Sequence, residues 1–463
     1  MANAQLHIAH RRVIRALLIV GALLAALLPT TSTAAASTSN EYWVALPGSG
    51  VAAPSGQGTS CSHPGFNNPQ RAVIAAASLA SAIIKVCPGR YSVQLQVTSP
   101  NRLLIEAAKS DEPVFNLPAK PHNASTACDM IHNSIYRSPP NREEVVVCGT
   151  ASTNVTMNHI VITANSHPGC DRNILAVFVA GGSSLRLVNS KVTAAAPIIP
   201  DNCSLGGDIA VGMSGIKPID VGHAQLQADT ISGYATGGIG ANGPGTTLIA
   251  NAIKVVGLGP SSREPQAGIA VTDDALAQIS HSVITNNICG PLTDTSCAPR
   301  VGISFEGAQH GSFLEYSTIS DNNYGASYNC LWGVGCNHAW LKHHVDVTFL
   351  GDHFVSNNQY DLSIIQGRAA TSSDILSGGQ VGYVLWAQCG DNYATDFSAS
   401  SDHVSGMSVA AVQVLGNASS KCGGLPGTVT LTNSKLSGNP GATVAASILN
   451  SCPIETVRLS NDD

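Results

Sequence analysis

From residue 155 to the C-terminal region one arrangement of apolar and polar positions recurs: an apolar residue, two of any kind, a small or polar residue, one more, then a β-favouring apolar residue. Val155-Thr-Met-Asn158-His-Ile160, Leu187-Val-Asn-Ser190-Lys-Val192, Leu226-Gln-Ala-Asp229-Thr-Ile231 and Leu248-Ile-Ala-Asn251-Ala-Ile253 are clear copies, and less regular ones end on Ile284, Ile319, Val355, Ile375, Val404 and Leu436. These ten anchors stand 20 to 39 residues apart. Most gaps hold a second short apolar segment, among them Leu175-Ala-Val-Phe-Val179, Gly268-Ile-Ala-Val271, Gly302-Ile-Ser-Phe305, Asp361-Leu-Ser-Ile-Ile365 and Ala411-Val-Gln-Val414.

Two or three strands per repeat, separated by Gly and Asn that tolerate left-handed backbone angles, describe one coil of a β-solenoid. Leucine-rich, ankyrin and tetratricopeptide repeats have stricter periods and helix patterns that are absent here. A sandwich or propeller would also give many short strands, but the variable spacing fits strands held in step while turns swell into loops, which in solenoids gather on the binding face. The Asn-rich tails Thr285-Asn286-Asn287, Ser320-Asp321-Asn322-Asn323 and Ser356-Asn357-Asn358 are expected to satisfy turn backbone groups or to stack as ladders.

The thirteen cysteines strengthen the solenoid reading. Cys170 and Cys203, like Cys389 and Cys422, are 33 residues apart and sit at nearly matching offsets from their anchors. Equivalent positions in adjacent coils lie about 4.8 Å apart, within the Cα separation a disulfide accepts. Cys170–Cys203 and Cys389–Cys422 are therefore expected as rungs. Proximity in sequence pairs Cys289 with Cys297, Cys330 with Cys336, Cys61 with Cys87 and Cys128 with Cys148, leaving Cys452 unpaired.

Upstream, Arg11, Arg12 and Arg15 precede the apolar run from Ala16 to Leu28 and then Thr33-Ala34-Ala35-Ala36, the layout of an export signal cleaved near Ala36. The run is too short for a stable membrane span. Losing three arginines takes the formal charge from −6 to −9, so nucleic acid is an unsuitable partner. The expected organisation is a signal peptide at 1–36, a flexible segment at 37–60, an N-terminal cap and first coil at 61–101, a parallel β-helix at 102–450 and a tail at 451–463. Pro69-Gln-Arg-Ala-Val-Ile-Ala-Ala-Ala77 reads as a short helix with proline in its first turn, placed to cover the apolar end of the solenoid.

Phe66, this Ala-rich helix and the following Val86-Cys-Pro-Gly-Arg-Tyr91 resemble the start of the right-handed parallel β-helix repeat family, often called pectin-lyase-like. The resemblance runs from about residue 61 to 440. It implies an all-β, right-handed parallel β-helix of about 10–12 coils with a short N-terminal capping helix, and a carbohydrate-facing scaffold whose chemistry varies. The catalytic signatures of polygalacturonases, alginate epimerases and pectate lyases are not present: Asp273-Asp274 and His310-Gly311 match two short polygalacturonase motifs without the flanking two. No metal-ligand spacing and no cofactor motif emerges.

If Gly268-Ile269 and Gly302-Ile303 begin equivalent strands, Asp273 and Asp274 follow one strand and Glu306 the next, with His310 four residues on. Stacked carboxylates about 5 Å apart suit retaining glycoside hydrolysis. An Asp pair and a Glu beyond a strand are equally ordinary turn residues. A lyase would need a base such as Lys342, His343 or His344 and a cationic clamp for a uronate, and no such clamp is evident.

Of 22 aromatic residues, 13 fall between Phe313 and Phe397. Phe313, Phe349, Phe354 and Phe397 are expected to fill the interior. Tyr328, Trp332, Trp340 and Trp386, with Lys342, are the candidate sugar contacts, because Tyr and Trp offer an apolar face and a polar edge. The sequence thus points to a secreted or surface β-helix that binds polysaccharide, with hydrolase or lyase activity as an extension; the competing class is a non-catalytic surface adhesin or structural repeat protein.

Overall fold

The computed structural model describes residues 40–99, 101–119, 142–165, 172–195, 207–212, 221–234, 236–260, 266–288, 300–329, 346–365, 367–387, 395–416, 427–447 and 454–460. Within them the chain winds as a right-handed parallel β-helix in which every paired strand is parallel to its neighbour. One sheet contains fourteen strands, and the other twenty stack in two further rows. Side chains alternate in and out along each strand, as in Ser183–Val188, where Leu185 and Leu187 are buried and Arg186 is exposed. Stacking turns these alternations into continuous interior columns, such as Met157, Leu187, Leu226 and Ala250, each in register with the next. A single apolar cluster results, running from Tyr42 to Leu436.

In the second row the residues in register are Tyr91, Phe115, Ile162, Val192, Ile231, Val255, Ile284, Ile319, Phe354, Leu376 and Val404. Those rungs agree with the 10–12 coils expected. Four of the sequence anchors need correction. Ile160 and Ile253 stand two residues before their column, at a corner position that holds Ser or Asp in most other coils. Val355 is one residue past the column and Ile375 one residue before it, and Ile375 is 37% exposed. At Ile160 and Ile253 a buried apolar residue at the corner mimicked the column, and at Val355 and Ile375 a one-residue slip exchanges inside for outside.

The first sheet passes to the second row through a one-residue corner. His159, Asn189, Ala228, Ala252, His281, Tyr316, Gly351, Ser373, Ser401 and Asn433 all occupy it with φ between 49° and 65°. That conformation turns the chain within one residue. The next residue points inward, and its backbone N–H needs an acceptor in the dry interior. The neighbouring coil supplies it: Ser282 N donates to Ser317 Oγ at 3.1 Å, Ser317 N to Asp352 Oδ1 at 2.8 Å, Asp352 N to Asp374 Oδ1 at 2.7 Å and Asp374 N to Asp402 Oδ1 at 2.9 Å.

Between the second and third rows runs the expected asparagine ladder. Asn287 N and Nδ2 donate to Asn322 Oδ1 at 3.0 and 2.9 Å, and Asn322 N and Nδ2 donate to Asn357 Oδ1 at 3.2 and 3.1 Å. Glycines make room for it: a Cβ on Gly302 would lie 2.6 Å from Gly325 O and 2.9 Å from Asn322 Nδ2. Asp361 takes the place of glycine in the last rung and accepts from Asn357 Nδ2 at 2.9 Å.

Helix α1, Pro69–Ala76, starts at Asn68, whose side chain accepts from Gln70 N, and it packs Ala72, Val73 and Ala76 against the first strands. Cys61 and Cys87 form the expected disulfide, with Cα atoms 5.6 Å apart. Cys148 is also disulfide-bonded. Cys128, Cys170, Cys203, Cys289, Cys297, Cys330, Cys336, Cys389, Cys422 and Cys452 lie outside the described residues. Phe349, Phe354 and Phe397 fill the interior as expected, whereas Phe313 is half-buried on the outer face of the first sheet, in register with Gln278 and Thr348.

Candidate functional site

The third-row strands Ala267–Thr272 and Val301–Glu306 pair with Ile269 opposite Ile303 and Thr272 opposite Glu306. Asp273 and Asp274 therefore leave one coil where Glu306 leaves the next. The turn locks this juxtaposition, since Asp273 N donates to Glu306 O at 3.1 Å and Asp274 N to Gly307 O at 2.8 Å. Both aspartates adopt positive φ, 53° and 65°, a conformation that Asp tolerates better than most residues. Burial pushes the Asp274 carboxyl above the usual range. Glu306 is exposed, with Oε1 accepting from Ser304 Oγ at 3.1 Å, and Ser304 Oγ accepts in turn from Ser327 Oγ at 3.3 Å.

His310 is exposed on the same edge. Its charge acts on Asp346, which belongs to this ledge and has no obvious mark in the sequence. Asp346 is buried; Oδ2 accepts from Tyr328 Oη at 2.8 Å and from Arg368 N at 3.3 Å. Burial raises the Asp346 carboxyl, while those hydrogen bonds and the charges of His310 and Arg368 act in the opposite direction. The Arg368 guanidinium is bound to Asp396, Nε to Oδ2 at 3.1 Å. In the sequence Asp346 follows the Lys342-His343-His344 segment after Val345, and no period marks it.

The candidate aromatics fare differently. Tyr328 is 1% exposed, with its ring in the interior column and its hydroxyl on Asp346, so it packs the core and positions that carboxyl. Trp386 is half-buried and shares a row with Glu306: Glu306 opposes Asn329, Asn329 opposes Ile365, and Ile365 opposes Trp386. Three inter-strand steps separate Glu306 from Trp386, about 14 Å. A parallel row starts with Tyr324 and Tyr360, whose rings stack at 4.9 Å, and Tyr360 joins Trp386 and Leu415 against Val381, Val384 and Ala410. A polar, acidic stretch thus gives way to an aromatic one along a single face. Trp332, Trp340, Lys342, His343 and His344 lie outside the described residues.

No family model matches the chain, and no curated protein does either. Among solved structures, it is similar to the periplasmic alginate epimerase AlgG at 10% identity, covering 82% of this chain and 76% of that one, with a TM-score of 0.46. It is also similar to the Agl-KA catalytic domain, at 11% identity over 81% of this chain and 64% of that one, TM-score 0.49. Pectate lyase Pel9A gives 10% identity over 92% and 79%, TM-score 0.37. Among the described residues no helix is long and apolar enough to cross a membrane. The all-parallel pairing, the three strand rows and the registered coils together give the chain a right-handed parallel β-helix fold.

Proposed function

We propose that this chain is an exported protein that binds neutral polysaccharide along the outer edge of the third row, from Asp273 and Glu306 towards Trp386. The supporting observation is the registered row Thr272, Glu306, Asn329, Ile365 and Trp386, in which hydrogen-bonding groups are followed by an apolar aromatic surface. A sugar chain offers both characters, ring C–H faces for Trp386 and hydroxyls for Glu306 and Asn329. Trp332, Trp340 and Lys342 are further proposed contacts. Export is consistent with the Cys61–Cys87 disulfide, since such bonds persist in oxidising compartments.

Charge narrows the ligand. Asp273, Asp274, Glu306 and Asp346 crowd one edge, and Arg368 is already engaged by Asp396. A polyuronate would bring its carboxylates against these acidic groups, so an uncharged glycan fits better.

Cleavage is the second reading. Asp273 and Glu306 leave adjacent coils, about 5 Å apart along the stack, the carboxyl separation of retaining glycosidases. The test is incubation with a panel of neutral and uronic polysaccharides, scored for retention and for released reducing or unsaturated ends. Binding of neutral glycans with reducing ends abolished in Glu306→Gln supports hydrolysis; binding without any ends supports a lectin-like role; retention of no glycan overturns the proposal in favour of an adhesive or structural protein.

A further inference from the structure

On the opposite side of the coil from the acidic edge, the corner column carries a feature with no part in the site above. Tyr316 is 55% exposed, the most exposed aromatic side chain of the described residues, and it has φ of 50°. Bulky residues avoid positive φ, and strain of this kind concentrates where a side chain must be held in one place. Other coils meet the same corner with Asn, Ser, Ala, Gly or His.

The ring is seated on both sides. In the preceding coil His281 lies against it, with centroids 5.5 Å apart and planes 35° from parallel. In the following coil the corner residue is Gly351, and a Cβ there would come within 2.8 Å of Tyr316 Cδ1 and Cε1. The ring therefore lies along the coil axis across a glycine that leaves it space, instead of projecting freely. His281, Tyr316 and Gly351 form a continuous strip spanning two coil steps, about 10 Å. Polar groups border it: Glu315 and Ser280, in register with each other, flank it on the first sheet, and exposed His353 lies on the second row.

We infer that Tyr316 is the platform of a separate glycan subsite, on which a pyranose ring of a neutral chain stacks while Glu315 and His281 receive its hydroxyl hydrogens. A fixed, solvent-open aromatic bordered by acceptors matches a sugar's apolar face and polar rim; an apolar protein partner would leave Glu315 desolvated and unpaired, at a cost to binding. The assignment rests on the polysaccharide reading but concerns a different face, so the two fail separately.

The experiment is titration of neutral oligosaccharides and their polymer into the full chain, its Tyr316→Ala, Tyr316→Phe and Gly351→Ala variants, and a Trp386→Ala variant, with thermal unfolding recorded for each. Tyr316→Ala is expected to fold, because Ala228 and Ala252 hold the same corner with φ of 56° and 54°. Polymer affinity should fall at least tenfold in Tyr316→Ala and in Gly351→Ala, which displaces the ring, and stay within about threefold in Tyr316→Phe. If wild type binds glycan and Tyr316→Ala binds equally well while Trp386→Ala does not, the subsite is wrong and the edge site stands. If affinity and melting temperature fall together in Tyr316→Ala, the residue is structural and the subsite is overturned. If wild type binds no glycan, both readings fall.

Discussion

Asp374 Oδ1 accepts the backbone N–H of Asp352 at 2.7 Å, deep in the corner where one coil meets the next. Asp402 repeats the bond one coil further on, so the three carboxyls of Asp352, Asp374 and Asp402 line the interior corner. Burial, helped by the charge of Glu315, pushes Asp352 up to about 8, and burial, helped by Asp352 and Asp402, pushes Asp374 up to about 9. Asp352 and Asp374 are therefore held as neutral acids at pH 7 in the folded chain, and burial raises Asp402 in the same direction.

This arrangement makes stability depend on pH in a definite direction. A carboxyl whose folded value exceeds the unfolded one stabilises fully below the unfolded value near 4, and that stability is lost as pH rises through the folded value. Unfolding free energy, and with it the melting temperature, should therefore fall from about pH 4 to about pH 8–9, at up to about 1.4 kcal/mol per pH unit for each such carboxyl. Asp374→Asn keeps an acceptor for Asp352 N and cannot ionise, so its fall over the same range should be shallower than wild type. An unchanged slope would mean that Asp374 is ionised in the folded protein.

The asparagine ladder gives a second expectation. Asn322→Ala removes the acceptor of two Asn287 donors and leaves them in a dry interior, for a loss of about 2–4 kcal/mol in urea unfolding. A loss below 1 kcal/mol would show that the ladder carries little stability.

Gly302→Ala places a methyl against Gly325 O and Asn322 Nδ2, and should cost roughly 1–3 kcal/mol or prevent folding. Gly48→Ala, where no atom lies within 4 Å, is the control and should change stability by less than about 1 kcal/mol. Equal effects at the two positions would contradict the register.

At the acidic edge, Glu306→Gln removes one of the carboxylates that repel uronates. Its affinity for a polyuronate should rise relative to wild type at low salt, and the difference should shrink as salt screens it. An affinity for polyuronate already high in wild type would contradict the charge argument.

How much of this was readable in the sequence follows from where each residue faces. Interior columns repeat an inside–outside alternation, and the neighbouring strands Gly268–Val271 and Gly302–Phe305 could be paired from their glycines alone; this put Asp273 beside Glu306. Anchors failed where the corner held an apolar residue, as at Ile160 and Ile253. Tyr328 and Trp386 sit in third-row strands of similar composition, and only register turns one into the core and the other outward. Asp346 and Arg368 were invisible because they enter the first sheet from connections of variable length, so no period links them.

The most direct test of the central claim is titration of a neutral oligosaccharide into wild type and Trp386→Ala, with a uronic oligosaccharide of equal length as comparison. The expected result is binding of the neutral ligand by wild type, at least tenfold weaker binding by Trp386→Ala, about 1.4 kcal/mol, and weaker binding of the uronic ligand throughout. Tighter binding of the uronic ligand, or neutral binding untouched by the loss of Trp386, would contradict it.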